Sequence, residues 1–119
     1  MDLNSILIGS EQPDRLVEYY SKLFGAPGFT DDQYSGWQLG NGFLSVGPHD
    51  EVKGKNGDPG RILWNLESGD VRGDFDRLRG AGATVVREPY APGGDEMPDM
   101  LIATFADPDG NYFQLMSAM

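Results

Sequence analysis

Pro13-Asp14-Arg15-Leu16-Val17-Glu18-Tyr19-Tyr20-Ser21-Lys22-Leu23-Phe24-Gly25 is the stretch from which the rest of the chain can be read. Leu16, Tyr19, Tyr20, Leu23 and Phe24 recur on one face at the helical period, while Glu18 and Lys22 stand four apart on the other side. Pro13 suits a first turn, where its missing amide hydrogen would have no intrahelical partner. Gly25 can take the left-handed conformation that ends a helix. Upstream, Leu3 to Gly9, centred on Ile6-Leu7-Ile8, reads as a buried strand. Downstream, three short β segments are expected, at 29–34, 36–39 and 43–46, with Gly40-Asn41-Gly42 as a tight turn between the last two. Residues 47–60, with four glycines and two prolines, read as a mobile connection.

The pattern then begins again. Residues 61–66 are expected as a strand, Asp70 as the cap of a helix directing Val71, Phe75 and Leu78 inward, and Gly82 as its stop. Residues 83–86 follow as a strand and 87–100 as a second long loop. Residues 101–106 and 112–116 form a hairpin around Asp107-Pro108-Asp109-Gly110-Asn111. Laid over each other, the halves match Ile6-Leu7 with Ile62-Leu63, Asp14 with Asp70 and Tyr19 with Phe75, fifty-six residues apart in each case. The shared order, strand–helix–three strands twice over, is what constrains the architecture. It predicts an α+β fold of two tandem βαβββ units, curved into a mixed-sheet cup with helices outside. Unit one would span about 1–47, a linker about 48–60 and unit two about 61–119, all in a single domain.

Composition narrows the function classes. Of 119 residues, nineteen are acidic and nine basic, for a net charge of −10. Such a chain repels phosphate backbones and anionic lipid, so neither nucleic acid nor a membrane is expected as a partner. A cationic small molecule suits it better, although acidity also serves plain solubility. No apolar run approaches a membrane span, and the N-terminus carries neither a basic region nor an apolar signal core, so a cytoplasmic location is expected. With no cysteine, disulfides and thiolate metal sites are excluded.

The helix Pro13 to Gly25, the run Arg79-Gly80-Ala81-Gly82-Ala83 with Val85-Val86-Arg87-Glu88-Pro89, and the ending Phe105 to Leu115 with its DP-x-GN turn together resemble the vicinal oxygen chelate superfamily. This is the group of glyoxalases, bleomycin-resistance proteins and extradiol dioxygenases. The resemblance covers nearly the whole chain. It implies that residues on the first and last strands of each unit line the cup, and that in the enzymes His, Glu or Gln there bind a divalent metal that chelates vicinal substrate oxygens. Carried over, those positions fall on Ser5, Leu44, Arg61 and Gln114. A serine, a leucine and a guanidinium make a poor divalent site, so no metal and no cofactor are expected. The lone histidine, His49, stands in the polar loop with Asp50 and Glu51, where exposure to solvent is the simpler reading. Asp95, Glu96 and Asp99 lack the alternation of an EF-hand loop.

Alternation along the expected strands gives a candidate ligand-binding set of Ser5, Leu7, Trp37, Leu44, Arg61, Leu63, Asn65, Tyr112 and Gln114, joined by Tyr90 from the loop 87–100, which would be either a lid or an ordinary surface loop. Ile6, Ile62, Trp64 and Phe113 would face the helices. Each of these side chains is equally compatible with plain sheet packing. As a set, apolar walls with a few polar groups describe a small-molecule pocket. Arg61 is the sharpest candidate, for an anionic or carbonyl-bearing ligand; otherwise it snorkels to water at the strand edge or pairs with a local carboxylate. No catalytic residue is assigned. The leading expectation is metal-independent small-molecule binding of the drug-sequestering kind, with a cationic, aromatic ligand. The alternatives are a lyase, isomerase or dioxygenase with atypical ligands, and a regulatory or accessory metabolite-binding module. The resemblance also implies a homodimer.

Overall fold

The computed structural model describes residues Met1–Met119. In the first unit, Met1–Lys55, the order is β1 (Ser5–Ser10), α1 (Pro13–Phe24), β2 (Phe29–Thr30), β3 (Ser35–Leu39) and β4 (Gly42–Pro48). The second unit, Asn56–Met119, repeats it as β5 (Trp64–Ser68), α2 (Val71–Gly80), β6 (Thr84–Tyr90), β7 (Ile102–Ala106) and β8 (Tyr112–Ser117). The sheet orders are β1-β4-β3-β2 and β5-β8-β7-β6. In each unit the first and last strands pair in parallel and the remaining pairs are antiparallel. The repeat read from the sequence is thus the observed topology.

Each helix covers one face of its own sheet. In the first unit Leu16, Tyr19, Tyr20 and Leu23 of α1 are buried, as are Ile8, Trp37, Leu44 and Val46 of the sheet. The Tyr20 and Trp37 rings meet edge-on at 6.1 Å, and the Trp37 indole N–H donates to the Gly25 carbonyl at 2.8 Å. That bond satisfies the polar edge of the largest ring in the unit where the helix ends. In the second unit the rings form a stack that starts from α2: Phe75 on Phe105 at 5.4 Å, Phe105 on Phe113 at 5.4 Å, and Phe113 on Trp64 at 4.7 Å.

Each unit contains the same strand–helix corner, which the sequence overlay placed two residues out. The Ser10 hydroxyl accepts from the Gln12 amide at 3.0 Å, and the Ser68 hydroxyl accepts from the Asp70 amide at 3.0 Å. Both serines are buried, each at the end of a strand and just ahead of a helix. The strand–helix corners therefore match Ser10 with Ser68, fifty-eight residues apart. In consequence the strand expected from residue 61 begins only at Trp64, and Pro59–Arg61 is a 3-10 turn instead. Pro59 removes an amide from any ladder there, and the Asp58 carboxylate pairs with the Arg61 guanidinium across the turn. Ile62, expected beneath the helix, is 75% exposed.

Two expected loops also differ. β6 does not stop at residue 86 but runs to Tyr90 through two register shifts, so Tyr90 stands on a strand and not on a lid. The connection expected to be mobile is hydrogen-bonded along its length. The Gly54 amide donates to Glu11, the Asn56 amide to the Asp109 carbonyl at 2.8 Å, and the Asn56 side chain to Asn111 at 3.1 Å. Between β2 and β3, the Asp31 carboxylate accepts from the Gln33 and Tyr34 amides, both at 2.8 Å. Those two bonds hold its carboxyl below the ordinary aspartate range.

Candidate functional site

Because side chains alternate along a strand, the face of each sheet opposite its helix is fixed once the buried face is known. In the first unit this open face carries Ser5, Leu7 and Gly9 from β1, Phe43, Ser45 and Gly47 from β4, and Gly36 and Gln38 from β3. Two aromatic rings cover its glycines. A Cβ at Gly36 would meet the Phe43 ring at 2.3 Å, and one at Gly47 would meet the Tyr34 ring at 2.1 Å, so the glycines make room for the rings. Ser5 and Leu7 lie on this face, as expected. Trp37 and Leu44 do not: both are 2% exposed and cross-strand partners, and Trp37 packs on Tyr20 of α1. Their assignment to the ligand face is corrected here. They belong to the core under α1, since Phe43 rather than Leu44 has the outward parity.

The open face of the second unit is more polar and forms two rows across four strands. In the first row, strand register sets Asn65 beside Gln114, Gln114 beside Thr104 and Thr104 beside Arg87. The Gln114 amide donates to the Thr104 hydroxyl at 3.0 Å, leaving its carbonyl oxygen free to accept. The second row runs Glu67, Met116, Ile102 and Tyr90 in the same way. The Arg87 guanidinium lies 3.4 Å over the centre of the Tyr90 ring, which joins the rows at the β6 edge. Tyr112 shares the face through its alternation with Phe113. Of the expected residues, Asn65, Tyr90, Tyr112 and Gln114 are thus brought together on one sheet.

Arg61 is not among them. It sits in the 3-10 turn ahead of β5, exposed, with Nη2 2.7 Å from the Asp58 carboxylate. Its expected direction into a ligand cavity is corrected by the two-residue shift, which sets Leu63 and not Arg61 opposite Ser5 in the repeat. Leu63 is half-buried, one residue before the strand. The arginine that does stand on the open face is Arg87, which sequence reasoning left in the loop 87–100. Thr104, Ile102, Met116 and Glu67 were also missed. Continuing the alternation of Tyr112 and Gln114 one step would have found Met116.

The donor set can be tested against the divalent ion that the resemblance implies. Leu44 is under α1, Arg61 is paired with Asp58, and Ser5 and Gln114 supply only neutral oxygens. No three His, Cys, Asp or Glu side chains come together anywhere in the chain. These residues do not fit a divalent metal. His49 is half-exposed in its loop, 3.7 Å from the Asp50 carboxylate. On the other side of the second unit, a shallow groove between α2 and β6 is lined by Arg72, Asp76, Arg79 and Glu88. Arg79 there is taken up by Asp76 at 3.1 Å and Glu88 at 3.8 Å.

The sequence profile of the glyoxalase-like domain matches residues 5–116. This chain belongs to the glyoxalase-like family of the vicinal oxygen chelate superfamily. Among solved structures it is similar to a glyoxalase-related enzyme from Fulvimarina pelagi, with a TM-score of 0.73 and 21% identity over 98% of this chain and 88% of that one. A glyoxalase/bleomycin resistance protein/dioxygenase family enzyme from Burkholderia phytofirmans PsJN matches over 100% of both chains, with a TM-score of 0.73 and 18% identity. A lactoylglutathione lyase from Agrobacterium tumefaciens gives a TM-score of 0.73 and 15% identity over 98% and 93%. At these identities the likeness shows the tandem βαβββ fold of the glyoxalase-like family. No curated protein matches the chain.

Proposed function

We propose that this glyoxalase-like protein captures a small organic molecule on the open face of its second unit, without a metal and without catalysing a reaction. The observation that carries the reading is the row Asn65–Gln114–Thr104–Arg87 flanked by Ile102, Met116, Tyr90 and Tyr112. A few placed polar groups on an apolar floor are the composition of a ligand site. No paired carboxylates and no His stand on that face to move a proton, and no cluster of metal-ligating side chains stands there to hold an ion. The excess of acid over base favours a ligand carrying positive charge. The bleomycin-resistance name of the Burkholderia neighbour supports a sequestering role by fold analogy. The lyase name of the Agrobacterium neighbour supports the competing enzyme reading. No helix is long and apolar enough to cross a membrane. A cytoplasmic homodimer, joined through an edge strand of a sheet, completes the proposal.

The test is elemental analysis of chelator-free protein after incubation with Ni, Zn, Mn and Fe(II), alongside a thermal-shift panel of cationic aromatic antibiotics. The expected result is no retained metal and a raised Tm with at least one compound. One tightly held ion per chain, or turnover of a hemithioacetal, would overturn the reading in favour of a lyase.

A further inference from the structure

Among the arginines of this chain, Arg61, Arg77 and Arg79 are held by carboxylates within one turn of themselves. Arg87 has no ion pair, in a protein with twice as many acids as bases. It is nonetheless fixed in place: its plane rests on Tyr90, and its neighbour Glu88 turns to the opposite side, towards Arg79. The guanidinium edge, with its fork of donors, is left free over the open face. Glu67 is the reciprocal case. It is exposed on the open face of β5, between Leu66 and Ser68, whose side chains lie on the helix side, and it makes no hydrogen bond or ion pair. The two charges stand on opposite edge strands of one four-stranded sheet, three strand spacings or about 14 Å apart across the strands and one row apart along them. In the second row, between Glu67 and the Tyr90 ring that carries the Arg87 guanidinium, lie only Met116 and Ile102.

Resting on the reading of this face as the ligand site, we propose that the ligand is an elongated zwitterion. Its carboxylate, or an equivalent oxyanion, sits in the Arg87 fork and its ammonium at Glu67, with an apolar body lying along Ile102 and Met116. The charges of the protein and of such a ligand are complementary end to end, and the free Gln114 carbonyl oxygen offers an acceptor beside the body. A ligand with only a cationic group would leave Arg87 unpaired when the face is covered, which costs affinity.

The experiment is calorimetric titration with three straight-chain probes of about ten carbons, a length matched to the strand spacing. They are an ω-amino carboxylic acid, the alkylamine without the carboxylate, and the carboxylic acid without the amine. The expected result is that the amino acid binds about tenfold tighter than either singly charged probe. Arg87→Gln lowers its affinity to that of the alkylamine, and Glu67→Gln lowers it to that of the carboxylic acid. Arg87→Lys, which keeps the charge but loses the fork, gives an intermediate loss and guards against an effect of unstacking Tyr90. Equal affinities for all three probes, with amide shifts at Thr104, Gln114 and Met116, would overturn the zwitterion and leave the ligand face standing. No shifts at those residues with any probe would overturn both. Sedimentation altered by Arg87→Gln with probe affinity unchanged would assign the two charges to contact between copies, and the proposal would fail.

Discussion

Asp107 is a buried carboxylate that accepts from the amides of its own turn. Its oxygens accept from the Asp109 amide at 2.9 Å, the Asn111 amide at 3.0 Å and the Asn111 side chain, also at 3.0 Å. Its own backbone brackets the same turn, donating to the Asn111 carbonyl and accepting from Gly110, whose φ of 82° needs glycine. Through Asp109 and Asn111 the turn also holds Asn56, the first residue of the second unit. One side chain therefore fastens both the β7–β8 connection and the entry to the unit. Replacing it strands buried donors. Asp107→Ala is expected to cost about 2–3 kcal/mol in urea unfolding, and Asp107→Asn, which keeps an acceptor, about half of that. Equal losses for the two variants would show that charge, not the count of accepted bonds, holds the turn.

At the scale of elements, the corner between a strand and its helix is the repeated device of this fold. Ser68 Oγ is 2.6 Å from Asp74 Oδ2 as well as accepting from Asp70, and Asp70 in turn accepts the Gly73 amide at 3.0 Å. Strand end, cap and first helical turn are linked by three short bonds. Ser68→Ala removes two of them at a buried site and is expected to lower stability by about 1–2 kcal/mol. Amide exchange should accelerate most at Asp70 and Gly73, and uniform exchange across α2 would refute the local account. These corners also explain what sequence reading could reach. The helix faces, the Asp70 cap, the DPDGN turn and the order of elements follow from local chemistry, and they were legible. The register of the second unit was not, because Ile6 and Ile62 look alike while the serines that fix the corner carry no hydrophobic signal. That two-residue slip moved Arg61 onto a strand it does not occupy. In the first unit a one-residue parity difference moved Leu44 and Trp37 to the wrong face, as any odd shift in a strand does. Arg87 was hidden by bulges, which let β6 continue past the point where its period of two breaks down.

For the whole molecule, the balance between surplus charge and local ion pairing sets the response to salt. The pairs Lys22–Glu18, Arg61–Asp58, Arg77–Asp74 and Arg79–Asp76 each join residues three or four apart, and their side chains are largely solvent-exposed. Pairs of this kind contribute little, and because they are local they survive in part in the unfolded chain. The net charge of −10 is different in kind, since folding concentrates it and unfolding lets it spread. Raising potassium chloride from about 0.01 M to 0.15 M shortens the screening length from about 30 Å to about 8 Å, which weakens long-range repulsion more than contacts at 3 Å. Screening of repulsion should therefore win, and stability should rise by about 1 kcal/mol, or about 3–6 °C in Tm for a chain of this size. Calorimetry at both salt concentrations checks the sign. A Tm that falls with salt would mean that the exposed pairs stabilise the fold by more than the surplus acids oppose it.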